Sequence, residues 1–209
     1  MKKTFLFLLV MATVSMAASY PFTHDGFFFN FSVGFGGQGM SLTGSIYEDG
    51  FTIDMEGDAD GGVYEIDYKI GGRILPYTIL HATVVRVGAL GDLETELSSR
   101  GRSVYVENGE SMLLVGLGTT CYIRPYNFFV SGSVGISKFS LTEAGDDEIL
   151  GSTEFGFGFQ LAAGKEWWVS ENWGIGASIA LNYGSVEESE EDAELSALAI
   201  TVMLSATFN

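Results

Sequence analysis

The chain has 209 residues, enough for one domain, and carries 27 acidic against 10 basic side chains for a formal charge of −17. That balance excludes nucleic-acid binding, because phosphate backbones reward Lys and Arg. Cys121 is the only cysteine, which excludes an intrachain disulfide.

The chain opens with Lys2 and Lys3, an apolar run from Phe5 to about Val14, and the small-residue stretch Ser15-Met16-Ala17. These are the three parts of a secretory signal peptide, with cleavage after Ala17. The run is too short for a transmembrane helix, which needs ~20 residues, and no later segment supplies one. The expected division is a leader at 1–17 and a single barrel domain at 18–209. No cysteine stands directly after the leader, so no lipoprotein anchor is indicated.

The first predicted strand is Phe27–Gly37, with Phe27, Phe29, Phe31, Val33 and Phe35 on one face and Phe28, Asn30, Ser32, Gly34 and Gly36 on the other. The second is Val63–Arg73. Its apolar set is Tyr64, Ile66, Tyr68 and Ile70, and its polar set is Glu65, Asp67, Lys69 and Gly71. Slipping it by one residue would turn three charges toward the apolar side. The third, Tyr77–Leu90, alternates poorly, so pattern alone does not fix its facing, and Arg86 favours its even positions pointing inward. The fourth is Met112–Ile123, the fifth Phe128–Phe139 and the eighth Leu195–Phe208, each with period-two alternation.

The sixth and seventh strands carry the clearest pattern. Phe155, Phe157, Phe159, Leu161 and Ala163 oppose Gly156, Gly158, Gln160, Ala162 and Gly164. Trp173, Ile175, Ala177, Ile179, Leu181 and Tyr183 oppose Gly174, Gly176, Ser178, Ala180, Asn182 and Gly184. A face washed by bulk water normally carries many Lys and Glu. A small, polar, nearly uncharged face suits a crowded lumen, with the apolar face turned to lipid.

The connections alternate in length. Gln38–Gly62, Gly91–Ser111, Ser140–Ser152 and Ser185–Glu194 are long and acidic, whereas Ile74–Pro76, Arg124–Asn127 and Val169–Asn172 are short. Bacterial outer-membrane barrels have even strand numbers, short periplasmic turns and longer extracellular loops. Tyr126, Phe128, Trp167, Trp173 and Phe208 fall at one predicted interface, and Phe155 and Tyr183 at the other. Lys165 lies on the apolar face near a rim, where its long side chain reaches the headgroups. The expected class is all-β: an antiparallel up-and-down transmembrane β-barrel of about eight strands.

In its leader, its alternating strands, the Gly-Lys-Glu-Trp-Trp run at Gly164–Trp168 and the strand Trp173–Leu181, the chain resembles the small outer-membrane β-barrel proteins, including the opacity proteins and the transmembrane domain of outer membrane protein A. The resemblance covers essentially the whole mature chain and implies fold and location rather than activity. It also implies that the barrel-assembly machinery reads a terminal aromatic residue, which here is the penultimate Phe208.

Chemistry is sparse. His81 and Thr83 share a face, but a hydroxyl nucleophile needs a base and an acid to orient that base, and no third group is near in sequence. The run Glu56-Gly57-Asp58-Ala59-Asp60-Gly61 loosely follows calcium-loop spacing and reads better as a solvated acidic turn. Val186–Asp192 is a charge run at a hairpin tip. Glu65, Asp67, Lys69, Arg86, Glu154 and Gln160 form a candidate internal network, read as structural. No catalytic, cofactor-binding or metal-binding residue is therefore assigned.

The sequence points to a monomeric, non-enzymatic envelope or surface-interaction protein. Its expected partners are outer-membrane lipids and lipopolysaccharide, the barrel-assembly machinery, and weakly held divalent cations at the acidic loops. The alternatives are a narrow pore or conduit for small or apolar solutes, a lipid-modifying enzyme, and a soluble ligand-binding barrel with its Phe faces inward.

Overall fold

The computed structural model describes residues 22–48, 51–90, 93–99, 102–143, 149–188 and 193–209. The leader and part of the Val186–Asp192 run lie outside them. The strands are β1 (Phe27–Glu48), β2 (Phe51–Leu75), β3 (Thr78–Ala89), β4 (Leu93–Ser99), β5 (Arg102–Ile123), β6 (Phe128–Glu143), β7 (Ile149–Ser152), β8 (Gly156–Trp168), β9 (Trp173–Glu188) and β10 (Ala193–Phe208). Eight of them form a ring of antiparallel neighbours in the order β1, β2, β3, β5, β6, β8, β9 and β10. The ring closes where β10 pairs with β1, from Phe29 opposite Phe208 to Thr43 opposite Glu194. Closure leaves no free edge among these strands, so every one finds two partners.

Short turns at Pro76–Tyr77, 124–127 and 169–172 mark one end of the barrel, the turn end. At the opposite, loop end the strands run on past the barrel wall. Much of the segment Gln38–Gly62 is therefore strand rather than loop: β1 and β2 stay paired as far as Glu48 opposite Phe51. The run Glu56–Gly61 lies within β2, where Asp58 faces Ser41 on one side and Glu96 of β4 on the other. The acidic-turn reading of that run is corrected accordingly. Its glycines and aspartates look like turn chemistry, but continuous backbone pairing on both sides outweighs weak local propensity.

Alternation sets the two surfaces. In β10 the residues Leu198, Ile200, Val202 and Leu204 are exposed outward, while Ala199, Thr201, Met203 and Ser205 are buried inside. The same division holds in β1, β2, β8 and β9, as their sequences predict. β3 differs from expectation. Its odd positions Ile79, His81, Thr83, Val85 and Val87 are buried, and Arg86 points outward. Register explains the reversal: Arg86 sits opposite Ile66 and Leu113, both on the outer face, so its facing follows theirs.

The outer surface is a belt of exposed apolar side chains, among them Phe35, Leu117, Val134, Ile179 and Leu204. On β6 the belt runs from Phe128, opposite Lys165, to Lys138. That stretch rises roughly 33 Å along the strand, or ~25 Å of height at a tilt of about 40°, the height of an outer-membrane apolar band. Both bounding lysines lie over aromatic rings. Lys165 is 5.1 Å from the Phe128 ring centroid and 5.4 Å from that of Trp167, and Lys138 is 5.2 Å from that of Phe155. No helix among the described residues is long and apolar enough to cross a membrane.

Candidate functional site

The lumen is packed in layers. Toward the loop end, Val63, Val85, Val87, Met112, Leu114, Phe139, Val186 and Leu195 form an apolar plug. The paired glycines Gly158 and Gly184 make room for it. A methyl group at Gly158 would lie 2.8 Å from Leu114 Cδ1, and one at Gly184 would lie 2.6 Å from Met112 Sδ.

Beneath the plug is a charged layer. Glu65 accepts hydrogen bonds from Gln160 Nε2 (2.8 Å), from Asn182 Nδ2 (2.7 Å) and from the Thr201 hydroxyl. Asp67 is paired with Lys69 and accepts from Gln160 at 3.2 Å. Glu65 is only 1% exposed, and Asn182 and Thr201 are fully buried. The ammonium of this layer goes to Asp67, so neutral donors carry Glu65. The structure thus brings together Glu65, Asp67, Lys69 and Gln160 from the expected network. Arg86 faces outward and Glu154 is exposed before β8, so neither joins it.

Below lies a hydroxyl layer. His81 Nδ1 is 2.8 Å from Thr83 Oγ1, and Nε2 is 3.0 Å from Thr120 Oγ1. Thr83 and Thr120 in turn meet Ser133 and Ser131 at 3.0 and 2.9 Å. Asn30 donates to Thr207 at 2.8 Å. Both nitrogens of His81 therefore engage hydroxyls, no carboxylate among the described residues bonds the ring, and the cluster is buried. This is a satisfied structural layer rather than an activated nucleophile. A cavity of about 20 Å³, room for roughly one water, lies between this layer and Glu166.

The turn end is closed by a lid. Tyr122 donates to Glu166 Oε2 at 3.1 Å, and the His24 ring stacks on Tyr122 with centroids 3.4 Å apart. Trp168 packs beside His24 at 4.9 Å. His24 Nδ1 is 3.0 Å from Asn209 Oδ1, and Nε2 is 2.8 Å from Asn127 Oδ1. Burial holds the His24 pKa below its ordinary value, against the pull of the two amide contacts. A neutral ring has a single N–H, and both amide nitrogens, Asn127 Nδ2 and Asn209 Nδ2, are without partners. Turning one amide over gives the ring a donor to accept from and pairs one of those nitrogens.

Outside the lid is a cleft of about 590 Å³. Arg73, Arg124 and Lys165 line it, along with Tyr77, Tyr126, Trp167 and Trp168. Arg73 pairs with Asp25. Arg124 donates to Tyr77 Oη at 2.8 Å and lies 4.9 Å from the centre of that ring.

Sequence reasoning missed the lid, the cleft, and the parts of Asn182 and Thr201. Period-two patterning places Asn182 on the small polar face of its strand, but nothing local marks which carboxylate it or Thr201 reaches. His24 carried no signal in the lead segment. The pairing of Tyr122 with Glu166 joins β5 to β8, a contact that no spacing encodes.

No protein-family model matches the sequence, and no curated protein is similar to it in sequence. Among solved structures, the chain is similar to the outer membrane protein OprG from Pseudomonas aeruginosa, at 10% identity and a TM-score of 0.49, covering 86% of this chain and 96% of that one. It is similar to the outer membrane protease OmpT from Escherichia coli, at 11% identity and a TM-score of 0.48, covering 91% and 98%. It is also similar to Ail, the attachment invasion locus protein of Yersinia pestis, at 15% identity and a TM-score of 0.39, covering 85% and 97%. Closed by sequential antiparallel pairing, filled inside and belted outside with apolar side chains, the chain is an eight-stranded up-and-down β-barrel.

Proposed function

We propose that the protein is a non-enzymatic integral component of the bacterial outer membrane, serving envelope structure or surface interaction through its loop-end extensions. The observation that carries this is the apolar belt, bounded by Lys165 and Lys138, around a filled lumen. A belt of that size has no stable exposure to water. The turn end then faces the periplasm and the acidic loop-end hairpins face outward.

The packed interior argues against a conduit, because the plug from Val63 to Leu195 and the lid at His24 block both ends. Both nitrogens of His81 are taken up by the threonine hydroxyls of a buried layer, which argues against hydrolysis there. At the outer rim, Arg86 and Lys138 flank Leu113 in one row of paired strands, placing their Cα atoms roughly 10 Å apart. Such a pair suits phosphates of lipopolysaccharide, and divalent cations would bridge the acidic hairpins beyond. Phe208, packed against Trp173 at 5.3 Å, is the aromatic residue offered to the assembly machinery.

The test is refolding of residues 18–209 into detergent. β-rich circular dichroism, heat-modifiable gel mobility and silent planar bilayers are expected. Material that is monomeric and folded without detergent would sink the membrane reading. Unitary conductance steps would replace the plug by a pore, and a mass change in lipid A incubated with the barrel would make it an enzyme.

A further inference from the structure

We propose that the turn-end cleft seats the phosphate headgroup of a glycerophospholipid from the leaflet that this end of the barrel meets. The proposal rests on the membrane reading above and goes beyond it by assigning a discrete ligand site.

Charge is the first argument. The chain is strongly acidic, yet three cations converge on this one cleft. Of the two carboxylates that line it, Asp25 neutralises Arg73 within the cleft and Glu166 accepts from Tyr122 beneath the His24 lid, which leaves Arg124 and Lys165 as the cations to consider. Arg124 and Lys165 rest on aromatic faces instead. Arg124 is over Tyr77, and Lys165 is over Phe128 and Trp167. A guanidinium has five N–H groups, so the one bond to Tyr77 Oη leaves Arg124 with donors to spare, and a guanidinium with an ammonium is a phosphate-binding pair.

Continuity is the second argument. Lys165 belongs to the cleft and also to the outer face of β8, between Phe128 and Trp167 at the lower edge of the belt. The cleft therefore adjoins the apolar surface at Lys165. A ligand with an anionic head and acyl chains matches both halves, with its head against Arg124 and Lys165 and its chains against Phe128 and Val130. A free phosphate would use only one half. The volume, about 590 Å³, is that of a small-molecule site and far exceeds one ion.

The experiment is native mass spectrometry of the detergent-refolded chain. The probes are phosphatidylglycerol, diacylglycerol of the same chain length, and glycerol 3-phosphate. Wild type is expected to retain one phosphatidylglycerol per barrel and no diacylglycerol. Combining Arg124→Gln with Lys165→Gln should cut the retained fraction at least tenfold, and Lys165→Arg should keep it. Equal retention by the double variant, or equal retention of diacylglycerol, overturns the site. Full displacement by millimolar glycerol 3-phosphate overturns the lipid in favour of a soluble phosphate compound. A chain that never shows heat-modifiable mobility sinks the membrane reading and this site with it, whereas a folded barrel that retains no lipid sinks the site alone.

Discussion

The side chain of Asn182 on β9 reaches across the lumen to Glu65 on β2, its amide donating to the carboxylate over 2.7 Å between residues 117 apart in sequence. With Gln160 and Thr201 it converts a buried carboxylate into a cross-brace between opposite walls. The neighbouring Asp67–Lys69 pair is equally dry.

Removing one member of that pair exposes its cost. Lys69→Met leaves Asp67 as an uncompensated buried charge and should destabilise the barrel by about 3–5 kcal/mol. Adding Asp67→Asn should recover most of the loss. Urea midpoints of the refolded single and double variants measure both, and equal midpoints for the two would remove the pair from the account.

The glycine pair in the plug gives a steric prediction. Gly184→Val places carbon against Met112 and Phe139, where even one methyl group would lie 2.6 Å from Met112 Sδ and 3.1 Å from Phe139 Cζ. Overpacking of this kind costs about 1–3 kcal/mol. Combining it with Met112→Ala should restore part of the loss. The readout is the temperature at which the heat-modifiable gel band converts.

Much of this was legible in the sequence, for reasons tied to particular residues. Strands such as Phe155–Gly164 have one chemistry per face, so their facing follows from alternation alone. β3 does not: Leu80, Ala82 and Val84 are as apolar as Ile79, Val85 and Val87, and one arginine tipped the reading the wrong way. Its facing is decided by Ile66 and Leu113 on the flanking strands. The stretch around Glu56–Gly61 was misread because glycine and aspartate carry turn signals even inside a paired strand. The lid lay beyond pattern altogether, since His24 meets residues 103 and 185 positions away.

The belt predicts opposite effects at two depths. Val134→Arg, midway between Phe128 and Lys138, should cost ~2–4 kcal/mol in phospholipid vesicles, whereas Tyr126→Arg in the turn should cost ~0–1. Vesicle-based urea titrations separate them. Equal costs at the two sites would mean that Val134 does not face lipid.

The lid carries a pH dependence with a definite sign. Docked His24 has a pKa below 6.5, whereas in a released lead it returns to that ordinary value. The released state therefore binds more protons, and docking gains stability as pH rises. The contribution is fully present above about pH 6.5 and is lost as pH falls through the docked value. Protease clipping ahead of Phe27 should accelerate on acidification. His24→Phe, which keeps the stacking but cannot titrate, should clip at a rate independent of pH.

The seam between β1 and β10 sets the order of events during biogenesis. Phe29 waits for Phe208, so the earliest-made wall is finished only by the latest. Until then the nascent sheet has two raw edges able to pair with the wrong neighbour. Loop closure over nearly the full length of the chain is also among the slower steps available to a polypeptide. The His24–Asn209 contact forms only when both ends of that seam have met. It is in effect a clasp whose engagement reports that the cylinder has sealed.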